Sequence, residues 1–411
     1  QQRNSKVDIL LCDKILPACL DCEYMKFPVQ PMLDAFIKSG PKELCRSCFD
    51  PAKKVLEDSN LFLRTYSQYL DSSDFILAKC LSLEIDLSSI RTFKYQGAQV
   101  GEHAYAGTLR FFGRGDLEGV EHGGDVLRRY LEAAILTVIS ANRLFDSENY
   151  DVMVINHGIY VPHGIVAEVA RLRDIRVVTW NPGYRRGCFL FSHQDTYHHT
   201  MMTESVDEWK NLELNGVLEK ATMDYLKSRW TGSQDWIWFH DRPFFDVESI
   251  EREIGVDFSK PCVGLLTNVI WDAQLHYPAN AFSSMMEWVL FTVDYFSRRP
   301  ELQLLIRVHP AEIHGGVPSK QKVVDEIAAC YPTLPANVFI IPPESQVSTY
   351  AAMLKCNSVL IYGTKMGVEL SSVGMPIIVS GEAWIRNKGI TIDVNSPSDY
   401  CEKLKIGRAS C

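Results

Sequence analysis

A short β-branched run, Ser358-Val-Leu-Ile-Tyr362, enters Gly363-Thr-Lys-Met-Gly367 without a break. Residues 368–373 then read as a helix, and Gly374-Met-Pro-Ile-Ile-Val379 supplies a second strand. Strand, tight turn, helix and strand in this order commit the chain to a parallel βαβ unit with a right-handed crossover. The start of a helix exposes unpaired N–H groups and a partial positive charge, so such a turn is a seat for phosphate. The turn carries neither the lysine-serine ending of a P-loop nor the full GxGxxG of a dinucleotide fold.

The same rhythm runs through the chain. Strands are predicted at 7–12, 151–156, 176–180, 262–267, 303–308 and 338–341, and helices at 31–39, 51–58, 125–142, 165–173, 209–229, 281–298, 319–330 and 347–355. Residues 74–80 read as a strand or a helix edge. Alternation of this kind predicts α/β architecture with doubly wound parallel sheets. At 411 residues the length favours two domains. The rhythm breaks across 231–261, where Gly and Pro accompany Trp236, Trp238, Phe239, Phe244 and Phe245. The expected division is therefore 1–240, with a Cys-rich start, and 241–411, the two facing across a cleft.

In doubly wound sheets, ligands bind beyond the carboxyl ends of the strands. Those ends in the second half are polar throughout: Asn268 and Asp272, then Arg307-Val-His309-Pro-Ala-Glu312, then Ser345, Ser348 and Thr349. The next two carry Tyr362-Gly363-Thr364-Lys365 leading to Gly367 and Glu369, and Glu382-Ala-Trp384-Ile-Arg386-Asn-Lys388.

On these residues the chain resembles GT-B glycosyltransferases, and more narrowly the capsule-polysaccharide biosynthesis and Kdo-transferase-like proteins of bacterial surface glycans. The resemblance rests on Val308-His-Pro310, on Tyr362-Gly-Thr-Lys-Met-Gly-Val-Glu-Leu with the following Gly-Met-Pro, and on Gly381-Glu-Ala-Trp-Ile-Arg-Asn-Lys-Gly. It covers the C-terminal half, and the N-terminal half only in general layout; Lys365 stands where that group usually places a hydroxyl. The resemblance implies two Rossmann-like domains, a nucleotide-sugar donor and a glycan or lipid-linked acceptor in surface polysaccharide synthesis. It leaves a peripheral association with the inner membrane open. Backbone N–H groups at 363–367, with Lys365, Arg307 and His309, would stabilise the leaving phosphate electrostatically. Glu369 is placed to accept from ribose hydroxyls, and backbone near 341–343 to pair with the base. Trp384 is suited to packing or to sugar stacking, and Arg386 and Lys388 to the donor or to an ordinary surface. No DxD ends a strand, so the cationic groups are expected to serve without a metal cofactor.

The acceptor side is less distinctive. Asn156-His157-Gly158 and Pro162-His163-Gly164 follow a buried strand, and Asp13 tips the first one. His157, His163 or Asp13 is the candidate base, although a hydrogen-bonded structural histidine is the commoner case. Tyr184-Arg185-Arg186 is a candidate grip for an anionic acceptor or donor carboxylate. The stretch between Gly97 and Gly124, with Glu102, His103, Glu121 and His122, reads as a mobile acceptor loop. Of twelve cysteines, Cys19-x2-Cys22 and Cys45-x2-Cys48 have the spacing of a zinc ribbon. Reduced buried thiols are the alternative reading.

A net charge of −9 without a basic run argues against a nucleic-acid partner. No run approaches the ~20 apolar residues of a membrane span, and residues 133–141, bounded by charged positions, suit a buried helix face. The chain opens without an initiator methionine or signal-peptide pattern, as a processed or trimmed chain would, and a soluble cytoplasmic enzyme is the default expectation. Three alternatives stand beside the transferase: a hydrolysing nucleotide-sugar 2-epimerase, a noncatalytic glycan-binding or assembly subunit, and a Cys-metal module grafted on an enzyme.

Overall fold

The computed structural model describes residues 5–57, 59, 61–231, 234–236, 243–273, 275 and 279–406. It divides into two units, the first built from Gln1–Asn181, Leu190–Tyr197 and Trp271–Leu275, the second from Pro182–Phe189, His198–Ile270 and His276–Cys411. The expected boundary at 240/241, with Trp238 and Phe239, lies outside the described residues.

In the N-terminal unit, β1 (Asp8–Leu11) and β2 (Phe62–Thr65) pair in parallel, with Ile9 opposite Leu63. A second sheet holds β3 (Val152–Asn156), β4 (Arg176–Pro182) and β5 (Phe189–His193) in that order, β3 and β4 being parallel. The core is built on the helix Gly123–Ser147, which buries apolar side chains around most of its circumference, from Val126 and Tyr130 to Ile135 and Ala141. An all-round apolar helix must be enclosed on every side, and it packs against the helices Ser72–Glu84, Val100–Phe112 and His163–Leu172. Residues 133–141 thus form buried helix. Residues 74–80 are helical, Asp71 capping Ser73 and Asp74 N–H.

Within the stretch from Gly97 to Gly124, residues 100–112 form the helix Val100–Phe112, which buries His103, and turns follow from Gly113 to His122. Its glycines serve close packing: a methyl group on Gly101 would sit 1.6 Å from Ile90 O, and one on Gly107 would meet the Tyr130 ring at 2.7 Å.

The C-terminal unit is one six-stranded sheet of β6 (Cys262–Leu266), β7 (Gln303–Arg307), β8 (Val338–Ile341), β9 (Ser358–Ile361), β10 (Ile377–Val379) and β11 (Ile392–Asp393). The spatial order is β8-β7-β6-β9-β10-β11 and every neighbouring pair is parallel. Numbered within the unit this is 3-2-1-4-5-6, the order of the Rossmann sheet, whose winding reverses between its first and fourth strands. The central strands are apolar because helices cover both faces, and β7 is buried along its whole length. The predicted 209–229 helix is two pieces, Asp207–Lys210 and Gly216–Thr231. No helix among the described residues is long and apolar enough to cross a membrane.

Candidate functional site

The reversal point of the C-terminal sheet lies between β6 and β9, so the residues just past these strands define where a ligand is expected. β6 runs into Thr267 and Asn268. Thr267 Oγ1 accepts the His309 N–H at 2.9 Å, joining the loop after β6 to that after β7. Asn268 Oδ1 lies 3.9 Å from where a methyl group on Gly363 would be, and Glu382 O lies 3.1 Å from the same point. A methyl group on Gly381 would in turn fall 2.7 Å from Tyr362 O. The loops after β6, β7, β9 and β10 therefore converge, and the backbones come that close only where side chains are missing. Asn268 Oδ1 is buried, with no hydrogen-bond partner among the described residues.

His309 is half-buried, and its Nδ1 accepts the Ala311 N–H at 3.1 Å. An imidazole that accepts at Nδ1 carries its hydrogen on Nε2, so His309 is oriented as a donor through Nε2. Thr364 Oγ1 accepts the Met366 N–H at 3.4 Å and starts the helix Met366–Ser371. Six residues sum to only a small macrodipole, so local N–H groups and side-chain cations dominate the electrostatics of this turn.

Lys365 is fixed on three sides. Its Nζ donates to Tyr225 Oη at 3.0 Å, pairs with Glu369 at 3.0 Å and stands 4.2 Å over the Tyr184 ring. Glu369 is the hub of this cluster. Its carboxylate accepts from Arg229 Nε at 2.7 Å and Tyr350 Oη at 2.5 Å as well as from Lys365. Burial opposes the charge on Glu369, but Lys365, Arg229 and Tyr350 outweigh it and hold the carboxyl below the usual range. Arg229 also pairs with Asp235. Glu369, expected to wait for ribose hydroxyls, already has its oxygens engaged by protein donors.

Several other expected ligand groups are engaged in the fold. Arg307 is buried; its guanidinium donates to Pro342 O, to Ser345 O at 3.2 Å and to Thr349 Oγ1 at 3.2 Å. Desolvation lowers its pKa to about 10. It ties β7 to the loop after β8, a positioning role. Ser348 caps the helix Thr349–Met353, Ser345 Oγ accepts Val347 N–H at 3.2 Å, and Glu312 Oε2 accepts Val323 N–H at 3.1 Å. Burial raises the Glu312 pKa. The Tyr362 phenol donates to Phe282 O at 2.9 Å inside the unit. Gly367 packs on Ile361, where a methyl group would meet Cδ1 at 2.4 Å. Arg386 is buried and donates to Val394 O at 2.9 Å and Asn395 Oδ1 at 2.6 Å. Lys388 Nζ reaches Met202 O at 3.2 Å, and Trp384 meets Tyr184 edge-on at 5.6 Å. Glu382 Oε1 accepts Ala279 N–H at 3.2 Å.

Tyr184, Arg185 and Arg186 belong to the C-terminal unit. Tyr184 faces Lys365, Arg185 lies 5.8 Å from the Tyr225 ring centre and Arg186 Nε donates to Asp235 O at 2.8 Å. Thr267, Tyr225, Arg229, Asp235 and Tyr350 went unnoticed in the sequence. The basic end of the helix Gly216–Thr231 is a signal for Arg229 alone.

The remaining candidates lie in the N-terminal unit. Asp272 accepts Tyr160 Oη at 3.1 Å. His157 has a left-handed backbone (φ 65°) and stacks on Tyr160 at 5.7 Å. Burial lowers the pKa of both His157 and His163, leaving neutral imidazoles. Asp13 Oδ1 accepts Ser67 N–H at 3.2 Å. Cys19 and Cys22 have sulfurs 3.9 Å apart; Cys45 is buried and Cys48 exposed. Among the described residues no group of three or more His, Cys, Asp or Glu is arranged to hold a metal ion.

No protein-family model matches the chain, and no curated protein matches it. Solved structures similar to it include Thermosulfurimonas dismutans KpsC, described as a β-Kdo 2,4 transferase, at 12% identity and TM-score 0.40 over 60% of this chain and 73% of that one. The UDP-GlcNAc 2-epimerase of Neisseria meningitidis bound to UDP-GlcNAc gives 12%, 0.29, 67% and 72% in the same order. That of Methanocaldococcus jannaschii, in complex with UDP-GlcNAc and UDP, gives 14%, 0.29, 98% and 92%. At such distances the reading of the site rests on this chain's own residues.

Proposed function

We propose that this chain is a glycosyltransferase that moves a sugar from a nucleotide-sugar donor to a glycan or lipid-linked acceptor of a cell-surface polysaccharide. One observation carries the reading: four strand-end loops converge at the reversal point of a 3-2-1-4-5-6 parallel sheet, around side-chain-free Gly363 and beside Asn268. The donor phosphate is assigned to the turn 363–365, with Lys365 and His309 Nε2–H answering the charge that grows as the glycosidic bond breaks. The Lys365–Glu369–Arg229 cluster holds that lysine in place before the donor arrives. Tyr184 and Arg185, beside it, are assigned to an anionic part of donor or acceptor. The base is assigned to a neutral histidine of the N-terminal unit, His157 or His163, which burial keeps in the accepting form.

The test is a thermal-shift and hydrogen-exchange screen with nucleotides and nucleotide sugars. A ligand at 100 times its Kd is expected to add about 2.7 kcal/mol of stability, with new protection at 267–268, 362–365 and 380–382. Gly363→Val, which fills the point of convergence, should abolish the shift. The reading fails if no nucleotide stabilises the protein, or if Gly363→Val responds like the parent. Turnover of the donor with no acceptor, giving an epimer or free nucleotide, would instead mark a hydrolysing 2-epimerase.

A further inference from the structure

Cys19-Leu-Asp-Cys22 follows β1 in the N-terminal unit, and the proposed transfer reaction makes no use of it. The Cys22 N–H donates to Cys19 O at 3.0 Å. Such a bond closes a four-residue turn, whose end Cα atoms lie within about 7 Å of each other. Natural disulfides span ~4.4–6.8 Å between Cα atoms. The two sulfurs are in contact, 3.9 Å apart.

The turn is pinned at every carbonyl. Tyr130, from the core helix Gly123–Ser147, shares its O–H between Cys19 O at 3.1 Å and Cys22 O at 3.3 Å. Arg110 Nη1 donates to Leu20 O at 2.6 Å, and Lys26 Nζ to Asp21 O at 2.8 Å. The Leu20 N–H donates to Val161 O at 2.8 Å. Groups this fully engaged fix the backbone, so the contact between the sulfurs is set by the fold. The two thiols are nevertheless unlike. Cys22 is fully buried, whereas Cys19 is half-buried and lines a cavity of about 410 Å³ with Cys12, Cys45, Cys48, Lys14 and Asp21. A reagent in that cavity can meet Cys19, while Cys22 has only its neighbours to react with.

We infer that Cys19 and Cys22 form a thiol–disulfide exchange site for a low-molecular-weight disulfide, RS–SR, with Cys19 attacking and Cys22 resolving. The Cys19 thiolate attacks one sulfur of RS–SR: a Cys19–SR bond forms, the reagent's S–S bond breaks and RS⁻ leaves. Cys22, having lost its proton, then attacks Cys19 Sγ and expels the second RS⁻. The two RS⁻ take up the two protons that the cysteines gave. The protein dithiol is thereby oxidised to a disulfide and RS–SR reduced to two RSH, and excess RSH reverses both steps. The inference draws on the N-terminal unit alone and stands whether or not the C-terminal unit binds a nucleotide.

Equilibrating the full chain with graded ratios of oxidised to reduced glutathione, then alkylating, digesting with trypsin and weighing the peptides, tests it. Cleavage after Lys14 and Lys26 isolates residues 15–26, whose only cysteines are these two. The parent peptide is expected to become two hydrogens lighter. Its disulfide should be favoured roughly tenfold more in the native chain than in concentrated urea, because the fold holds the sulfurs together beforehand. Cys22→Ser should stop with one glutathione on Cys19, and Cys19→Ser should take up roughly tenfold less on Cys22, which the fold shields. The inference is overturned by a native dithiol that resists excess oxidised glutathione, or by a disulfide no more favourable in the fold than in urea. It is equally overturned if Cys19 bonds instead to Cys12, Cys45 or Cys48, or if Cys22 takes up glutathione as readily as Cys19. The comparison of native chain with urea uses the parent alone, so it decides even where a variant fails to fold.

Discussion

Arg229 and Glu369 are 140 positions apart and meet at 2.7 Å, both well shielded from solvent. Removing one member of such a pair leaves the other charge without compensation, a loss of about 3–5 kcal/mol. Glu369 keeps Lys365 and Tyr350, but the buried Asp235 loses its arginine, so Arg229→Met is expected to cost about 4–5 kcal/mol, the upper end of that range. Urea unfolding measures it, and a change under ~0.5 kcal/mol, ordinary for a surface site, would show that the cluster contributes nothing to stability. Pairings of this kind are illegible in a sequence. Nothing local to Glu369 announces Arg229, and a glutamate one turn into a helix beside a phosphate-sized turn reads naturally as a ribose ligand. Arg307 and Arg386 are the same case: an arginine at a strand end looks like a cation for a substrate until its N–H groups are seen on backbone carbonyls.

Elements were more legible than contacts. Apolar runs and amphipathic periods marked β6 to β9 and their helices within a few residues, because a buried parallel strand leaves a continuous apolar signature. The failure at 97–124 is instructive. Glycines there read as turn signals, yet Gly101 and Gly107 sit inside the helix Val100–Phe112 to let other groups approach. Alanine ordinarily gains up to ~1 kcal/mol over glycine in a helix interior. At Gly107 the Tyr130 ring can give way, so Gly107→Ala should lose only about 1–2 kcal/mol net. At Gly101 the obstacle is the backbone oxygen of Ile90, 1.6 Å from the added carbon. Gly101→Ala should lose at least 3 kcal/mol, at the top of the overpacking range. Equal melting temperatures for the two variants would refute this account of the helix.

For the whole molecule, the polar strand-end loops of the C-terminal sheet could be foreseen from composition, whereas its strand order and the two short sheets of the N-terminal unit could not, since strand pairing leaves no mark on short apolar runs. His157 and His163 of that unit make stability depend on pH. Burial lowers both pKa values below the ordinary 6.5, so near and below that value the unfolded chain binds more protons than the native one. Stability is then fully present above pH ~6.5 and falls as the solution is acidified toward the native pKa values, by up to about 1.4 kcal/mol per pH unit for each histidine. Melting temperatures from pH 7.5 to 5 should decline, and His163→Gln should flatten the decline. A profile identical to the parent's would exclude that histidine as its source.

The parallel order has a consequence during synthesis. β6, the middle of the C-terminal sheet, leaves the ribosome first, and its second neighbour β9 begins only at Ser358. At about 5–20 residues per second, a nascent polypeptide carries one bare, apolar strand edge for several seconds, the interval in which a chaperone has most to protect.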